Sequence, residues 1–356
     1  MGLGVDPSPI TPNPLTPCLL LTPRALRPWL AARAIPSYRA GQVLSWVYHR
    51  RVPSFAAMSD LPKALREELA QHFSIPHLVP SLVSGSKDGT RKLLFDLDAT
   101  AAIESVLIPE PPRLTLCISS QAGCGMGCAF CATARLGLIR NLTAAEIIGQ
   151  VLAAQAQLHG DERISNIVFM GMGEPLANYD NVVQAIEILS APWGLGFSGR
   201  RLTVSTVGLV PQMRRLVTET DVHLAVSLTA TSDEQRERLM PINRRFPLAE
   251  LLDVCRQLPI GERQRITFEY VLLAGINDTP HDATRLIRLL HGIRAKVNLI
   301  PFNPFPDAGF EPAPDDVVLR FRKALVAADI GTTIRRSRGR DIQAACGQLA
   351  LATRGR

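Results

Sequence analysis

Three cysteines, Cys124, Cys128 and Cys131, fall within the stretch CGMGCAFC. A Cys-x3-Cys-x2-Cys run offers three thiolates where an iron–sulfur cubane has four irons, so one iron is left for a small molecule to coordinate. Clusters of this kind and S-adenosylmethionine (SAM) are among the few biological routes to controlled radicals. Zinc is the rival. A structural zinc site takes four ligands and commonly pairs two Cys-x2-Cys units, and no second pair stands in the chain.

Other groups could work beside such a centre. FMGMGEPL (169–176) combines Glu174, a partner for an ammonium group, with glycines such as Gly173 that let a backbone approach a ligand closely. Ser205 and the run Ser227, Leu228, Thr229 end strand-like segments, where hydroxyls serve either a ligand or a helix cap. Asn303 precedes Pro304, which holds it extended, a posture suited to reading an adenine edge. Cys117 lies in a strand-like run, where a small apolar cysteine is commonly just core. Cys346 follows the basic stretch RRSRGR (335–340), and nearby positive charge raises a thiol's thiolate fraction. The residues alone leave both of these cysteines open between a structural and a chemical role. Glu104, in IESVLIP, reads by itself as an edge charge on a strand. Cys18 and Cys255 read as structural.

The elements that must position these groups repeat a strand–loop–helix rhythm. Strand-like runs cover 113–119, 164–170, 201–206, 222–228, 265–273 and 296–301, with helical patterns such as LTAAEIIGQVLAAQAQ and ATRLIRLLHGI between them. Apolar strands alternating with helices predict an α/β fold, an incomplete parallel (β/α)6 barrel, whose chemistry sits at the carboxyl ends of the strands. The cysteine triplet directly follows the first of those strands. Residues 1–22 form a proline-rich leader expected to be disordered. Residues 23–100 read as an arginine-rich helical accessory domain with a hairpin, and 101–356 as the barrel.

The net charge of +7 across 356 residues favours a polyanionic partner. The start of the chain lacks the basic and apolar regions of a secretory signal, and no apolar run approaches a membrane span. Seven cysteines, three of them in a ligand motif, fit a reducing cytoplasm better than a disulfide framework.

Taken with IESVLIP, LTLCISSQAGCGMGCAFCATARLGLIRNLTAAEI, NIVFMGMGEPLANYDNV, FEYVLLAGIND, NLIPFNPFP and RRSRGRDIQAACGQL, the chain resembles the RlmN/Cfr family of radical SAM enzymes, which methylate adenine carbons in RNA. The resemblance runs from about residue 90 to 350. It implies a [4Fe–4S] cluster on Cys124, Cys128 and Cys131, and SAM contacts from Gly173, Glu174, Ser205, Ser227, Leu228, Thr229 and Asn303. The family usually has His where this chain has Thr229. Two SAM molecules serve each turnover. One methylates the cysteine matching Cys346, and the other yields a 5'-deoxyadenosyl radical that activates this methyl group for addition to adenine. The cysteine matching Cys117 then releases the product through a transient disulfide, and Glu104 matches the proposed acid–base residue. The implied substrates are 23S rRNA and tRNA, methylated at adenine C2. The Cfr-type reaction at C8 is the alternative, and behind it stands a radical SAM enzyme of another substrate class. A flavodoxin or ferredoxin as electron donor and a monomeric state complete the expectation.

Overall fold

The computed structural model describes residues 19–261 and 264–351. The chain divides into two compact units, residues 1–77 with 192–195, and 78–191 with 196–356. Cys18 and most of the leader lie outside the described residues. Its last four residues, 19–22, belong to the fold: Leu21 is buried, and Thr22 caps the first helix by accepting from the Ala25 N–H at 3.2 Å.

In the first unit, α1 (Pro23–Ala31), α2 (Tyr38–Leu44) and α3 (Lys63–His72) each bury one apolar stripe, Leu26 and Leu30, Val43 and Leu44, Leu65 and Leu69. Helix α2 continues as a π-helical turn, Ser45–His49, which buries Val47 and Tyr48. The Tyr48 hydroxyl donates to the Leu21 carbonyl at 2.6 Å.

The second unit is built on a ten-stranded sheet. Its strands are β1 (Leu82–Gly85), β2 (Arg91–Asp96), β3 (Ala102–Glu110), β4 (Arg113–Cys117), β5 (Asn166–Phe169), β6 (Leu202–Thr206), β7 (His223–Ser227), β8 (Ile266–Leu272), β9 (Ala295–Pro301) and β10 (Gly331–Ile334). They lie side by side in chain order. From β4 to β10 every neighbour is parallel, and β1 to β4 are antiparallel. The ends of the sheet, β1 and β10, are not paired to each other, so the barrel is incomplete. The connections carry α4 (Ala144–Ala156), α5 (Tyr179–Ser190), α6 (Val210–Glu219), α7 (Asp233–Leu239), α8 (Leu248–Gln257), α9 (Pro280–Leu290) and α10 (Asp315–Ala327). Capping boxes, Thr143 with Glu146 and Thr279 with Asp282, start α4 and α9 where the sequence places helix after a strand end.

Two features differ from the sequence pattern. The hairpin, grouped by sequence with the amino-terminal helices, hydrogen-bonds into the main sheet through β3. Its Asp88–Gly89 turn also has a strand before it, β1, which is largely exposed and so shows no apolar alternation. Strand β10 adds a seventh parallel member. Its four residues, GTTI, are too few and too polar to register as a buried strand. Among the described residues no helix is long and apolar enough to cross a membrane.

Candidate active site

Strand β4 ends at Cys117, and the chain then makes a short antiparallel pair, Gln121–Gly123 with Leu138–Asn141, that brackets the cysteine triplet. Gly123 has φ +73°, and a Cβ there would lie 1.9 Å from the Gly137 carbonyl oxygen, so only glycine fits. The Cys124 N–H donates to that same oxygen at 2.8 Å. The loop is pinned again where Ala129 N–H meets the Leu239 carbonyl at 2.9 Å and Ala132 N–H the Gly347 carbonyl at 2.8 Å. Cys128 packs in an apolar cluster with Leu239, Met240, Leu273 and Phe302.

Burial pushes the Cys124 thiol up to about 12, and it raises Cys128 and Cys131 as well; the neighbouring thiols add to the effect. Three thiols that disfavour one another's negative charge in a dry loop become compatible thiolates only around a polycationic centre. Three such thiols on one loop fit a cluster of several irons.

A cavity of about 160 Å³ opens beside it, lined by Cys131, Gly173, Glu174, Ser205, Ser227, Glu269, Asn303, Arg335 and Cys346 among others. Gly173, at φ +99°, has no room for a Cβ, which would meet Gln121 at 2.5 Å. Its neighbour Glu174 accepts one backbone hydrogen bond on each oxygen, Oε1 from Leu176 N–H at 3.0 Å and Oε2 from Val207 N–H at 2.8 Å. Burial nevertheless raises its carboxyl to about 7, the hydrogen bonds offsetting only part of the desolvation. Asn303 donates from Nδ2 to the Cys346 carbonyl at 3.1 Å, while its buried Oδ1 has no partner. An unpartnered buried acceptor on a cavity wall suits a ligand that brings a donor. Leu228 and Thr229 do not line this cavity. Both are fully buried, and Thr229, at φ +54°, gives its carbonyl to Asn277 Nδ2 at 2.7 Å.

The two lone cysteines come together. Burial pushes the Cys117 thiol up to about 12, with the neighbouring Cys346 sulfur adding to the rise and Arg335 opposing it. Both are free thiols. Arg335, at the end of β10, is held cationic chiefly by Cys346 and also by Glu269 and Cys117. The first arginine of RRSRGR therefore lines the cavity. Exposed Arg336 and Arg340 stay available on the surface. Glu269, with its carboxyl raised by burial and Oε2 accepting from Asn298 Nδ2 at 3.0 Å, is the acid facing Arg335.

Glu104 sits apart from the cavity lining. It is buried on β3, paired with Lys92 Nζ at 2.8 Å, and its Oε2 accepts from Leu351 N–H at 3.3 Å. The C-terminal segment crosses over this pair: Asp341 accepts from the Ser86 hydroxyl at 2.6 Å, and Gly339 N–H donates to Asp88 at 2.9 Å. Lys92, Glu269 and Arg335 are the residues that motif reading passes over. The available signals are a lysine and a glutamate each set inside an apolar strand run, RKLLFD and ITFEYVL, where a charge needs a partner.

An open parallel sheet with a Cys-x3-Cys-x2-Cys loop at its carboxyl end defines a radical SAM enzyme, and the radical SAM superfamily model matches residues 118–288. The model of the ribosomal RNA large subunit methyltransferase N-terminal domain matches residues 18–75. The crystal structure of a radical SAM methyltransferase from Sphaerobacter thermophilus aligns at a TM-score of 0.88 and 45% identity, covering 94% of this chain and 99% of that one. Dual-specificity RNA methyltransferase RlmN of Geobacter sulfurreducens is 53% identical over 324 residues, 91% of this chain and 89% of the relative. RlmN of Syntrophotalea carbinolica is 52% identical over 325 residues, with 91% and 86% covered. The chain belongs to the RlmN family of radical SAM RNA methyltransferases.

Proposed function

We propose that this protein methylates C2 of adenosine in 23S rRNA, at the peptidyl-transferase centre, and in tRNA beside the anticodon. The observation that carries the reading is that one cavity is lined by both Cys131 of the triplet and Cys346 of the lone pair. Cys124, Cys128 and Cys131 would hold the [4Fe–4S] cluster, which when bound supplies one-electron cleavage of SAM. Glu174 would receive the SAM ammonium. Its carboxyl is poised near neutrality, so an arriving cation favours the ionised form and expels a proton. Gly173, Ser205, Ser227 and Asn303 would surround the rest of the molecule. Leu228 and Thr229 would act only through the backbone that shapes the end of β7.

Cys346 would take a methyl group by displacement: its sulfur bonds the carbon as the sulfonium bond breaks, and the thiol proton leaves to solvent. Arg335 would balance the developing thiolate. Cys117, next to it, would later attack the Cys346 sulfur, and the transient disulfide frees the product and is reduced back to two thiols. Glu104 would serve as base or adenine-positioning group once the Leu351 contact lifts. Exposed Arg24, Arg27, Arg50 and Arg51 of the helical unit would grip phosphates. Arg33 over Trp29 and Arg50 over Trp46, each at 4.0 Å, add stacked cations to that unit's surface. A cytoplasmic monomer reduced by a flavodoxin or ferredoxin completes the reading.

The test is nucleoside mass spectrometry of unmodified 23S rRNA and tRNA after anaerobic reaction with reconstituted enzyme, reductant and methyl-labelled SAM. Labelled 2-methyladenosine in both is the expected result. Label in rRNA alone removes the tRNA activity, and 8-methyladenosine overturns the assigned position.

A further inference from the structure

Helix α7 carries a charge that the chemistry above does not use. Arg236 is fully buried. Its guanidinium donates to Asn243 Oδ1 at 3.0 Å and to the carbonyls of Val207, Ser227 and Phe246 at 2.7, 3.3 and 3.4 Å. All of these acceptors are neutral, and Nε is buried without one. Removing a cation from water costs several kcal/mol unless negative charge compensates it. A neutral amide would bond these carbonyls at lower cost. Cys128, Asp233 and Cys255 are the ionisable groups whose charge acts on Arg236. The same helix touches the cysteine loop one turn on: Leu239 gives its carbonyl to Ala129 and packs with Cys128.

We propose that Arg236 is the built-in counter-cation of the cluster held by Cys124, Cys128 and Cys131, and sets how readily that cluster takes up an electron. The inference rests on the assignment of those three thiols to the cluster. A cluster with three thiolates carries net negative charge that grows by one on reduction. A cation fixed in a dry interior stabilises the more negative state, and net charge and burial are what tune such potentials. Arg236 also joins this charge to the SAM side, because Val207 offers its carbonyl to Arg236 and its N–H to Glu174.

The experiment is a redox titration of the anaerobically reconstituted protein, with the reduced cluster followed by electron paramagnetic resonance. Arg236→Met is expected to lower the ratio of reduced to oxidised cluster about tenfold at a fixed potential, a shift of ~59 mV for one electron. Arg236→Lys keeps the charge but not the carbonyl clasp, and should stay within about twofold of the parent. Asp233→Asn removes an opposing negative charge and should move the midpoint the other way, by about two- to threefold in the same ratio. An unmoved midpoint in Arg236→Met overturns the proposal, as does a lysine variant displaced as far as the methionine one. Should Arg236→Met not fold, Asp233→Asn decides alone: no shift, or a shift towards harder reduction, overturns it. A parent protein that binds iron without forming a cluster defeats the thiol assignment itself, a result distinct from a loaded cluster whose midpoint ignores Arg236.

Discussion

The triplet Cys124, Cys128 and Cys131 and the pair Cys117 and Cys346 each send one member, Cys131 and Cys346, to the wall of one cavity, but they are made in opposite ways. The triplet is local: one loop, closed on itself by the Gly137 carbonyl and packed on Leu239 and Phe302. The pair is assembled by the whole sheet. Cys117 ends β4, whereas Cys346 reaches it only because the chain, leaving β10, crosses back over the hairpin on contacts from Asp88, Ser86 and Lys92. Local construction puts all three ligands on one loop, which the carbonyls of Leu239 and Gly347 then pin from outside. Assembly by topology makes a reactive pair whose geometry depends on distant anchors.

This contrast breaks first on the cysteines. Cys128→Ala should lose the cluster, SAM cleavage and methylation together. Cys346→Ala should lose methylation to background while iron content and SAM cleavage persist. Iron assay and chromatography of SAM cleavage products read both, and loss of iron in Cys346→Ala would contradict the separation. Next in size is the anchor under the terminal segment. Lys92 and Glu104 form a nearly solvent-free ion pair. Lys92→Met leaves the carboxylate buried and alone and should cost about 3–5 kcal/mol in urea unfolding. Lys92→Met with Glu104→Leu should recover most of that loss, since the pair's desolvation disappears with it. A single variant as stable as the parent would show that the segment does not rest on this pair.

Glu174 sharpens the comparison from the SAM side. Its carboxyl is raised by burial from 4.5 to about 7 in the folded protein. The folded state therefore keeps a proton that the unfolded chain gives up, and the group's contribution to stability falls as pH rises from about 4.5 to about 7, then stays flat. The fall is at most on the order of 3 kcal/mol. Urea melts of SAM-free protein at pH 5 and pH 8 should show a smaller drop in Glu174→Gln than in the parent, alongside weaker SAM binding in the variant. Equal drops would place the pH dependence elsewhere.

Much of this arrangement is legible in the sequence because it is written locally. The triplet, the glycines around Glu174 and the six apolar strand runs depend on spacing within a few residues, and spacing is what a sequence displays. Strand β10 is missed because GTTI is short and polar. Arg335 is passed over for a deeper reason: in RRSRGR nothing distinguishes the residue that follows a strand end, and so lines the cavity, from Arg336 and Arg340 on the surface. Likewise Lys92 and Glu104 look like two isolated charges until the β2–β3 register, with Leu94 opposite Glu104 and Lys92 opposite Val106, puts them on one diagonal.

Arg335 therefore supplies the finest cut between the two cysteine sets. It faces Cys346, Glu269 and Cys117, and Cys131 is the triplet member that shares its cavity wall. Arg335→Met keeps a long apolar side chain there and removes only the charge. Thiolate is the reacting form of a cysteine, and a neighbouring cation increases its share. Alkylation of Cys346 by iodoacetamide, followed by peptide mass spectrometry on cluster-loaded protein, should slow severalfold in the variant, because no cation is left to offset charge building on the sulfur. Cluster content should hold, because the loop that carries the triplet is pinned by the carbonyls of Gly137, Leu239 and Gly347, none of which the Arg335 side chain supplies. If iron is lost along with the alkylation rate, the two sets share one support, and the division between local loop and topological pair fails at Arg335.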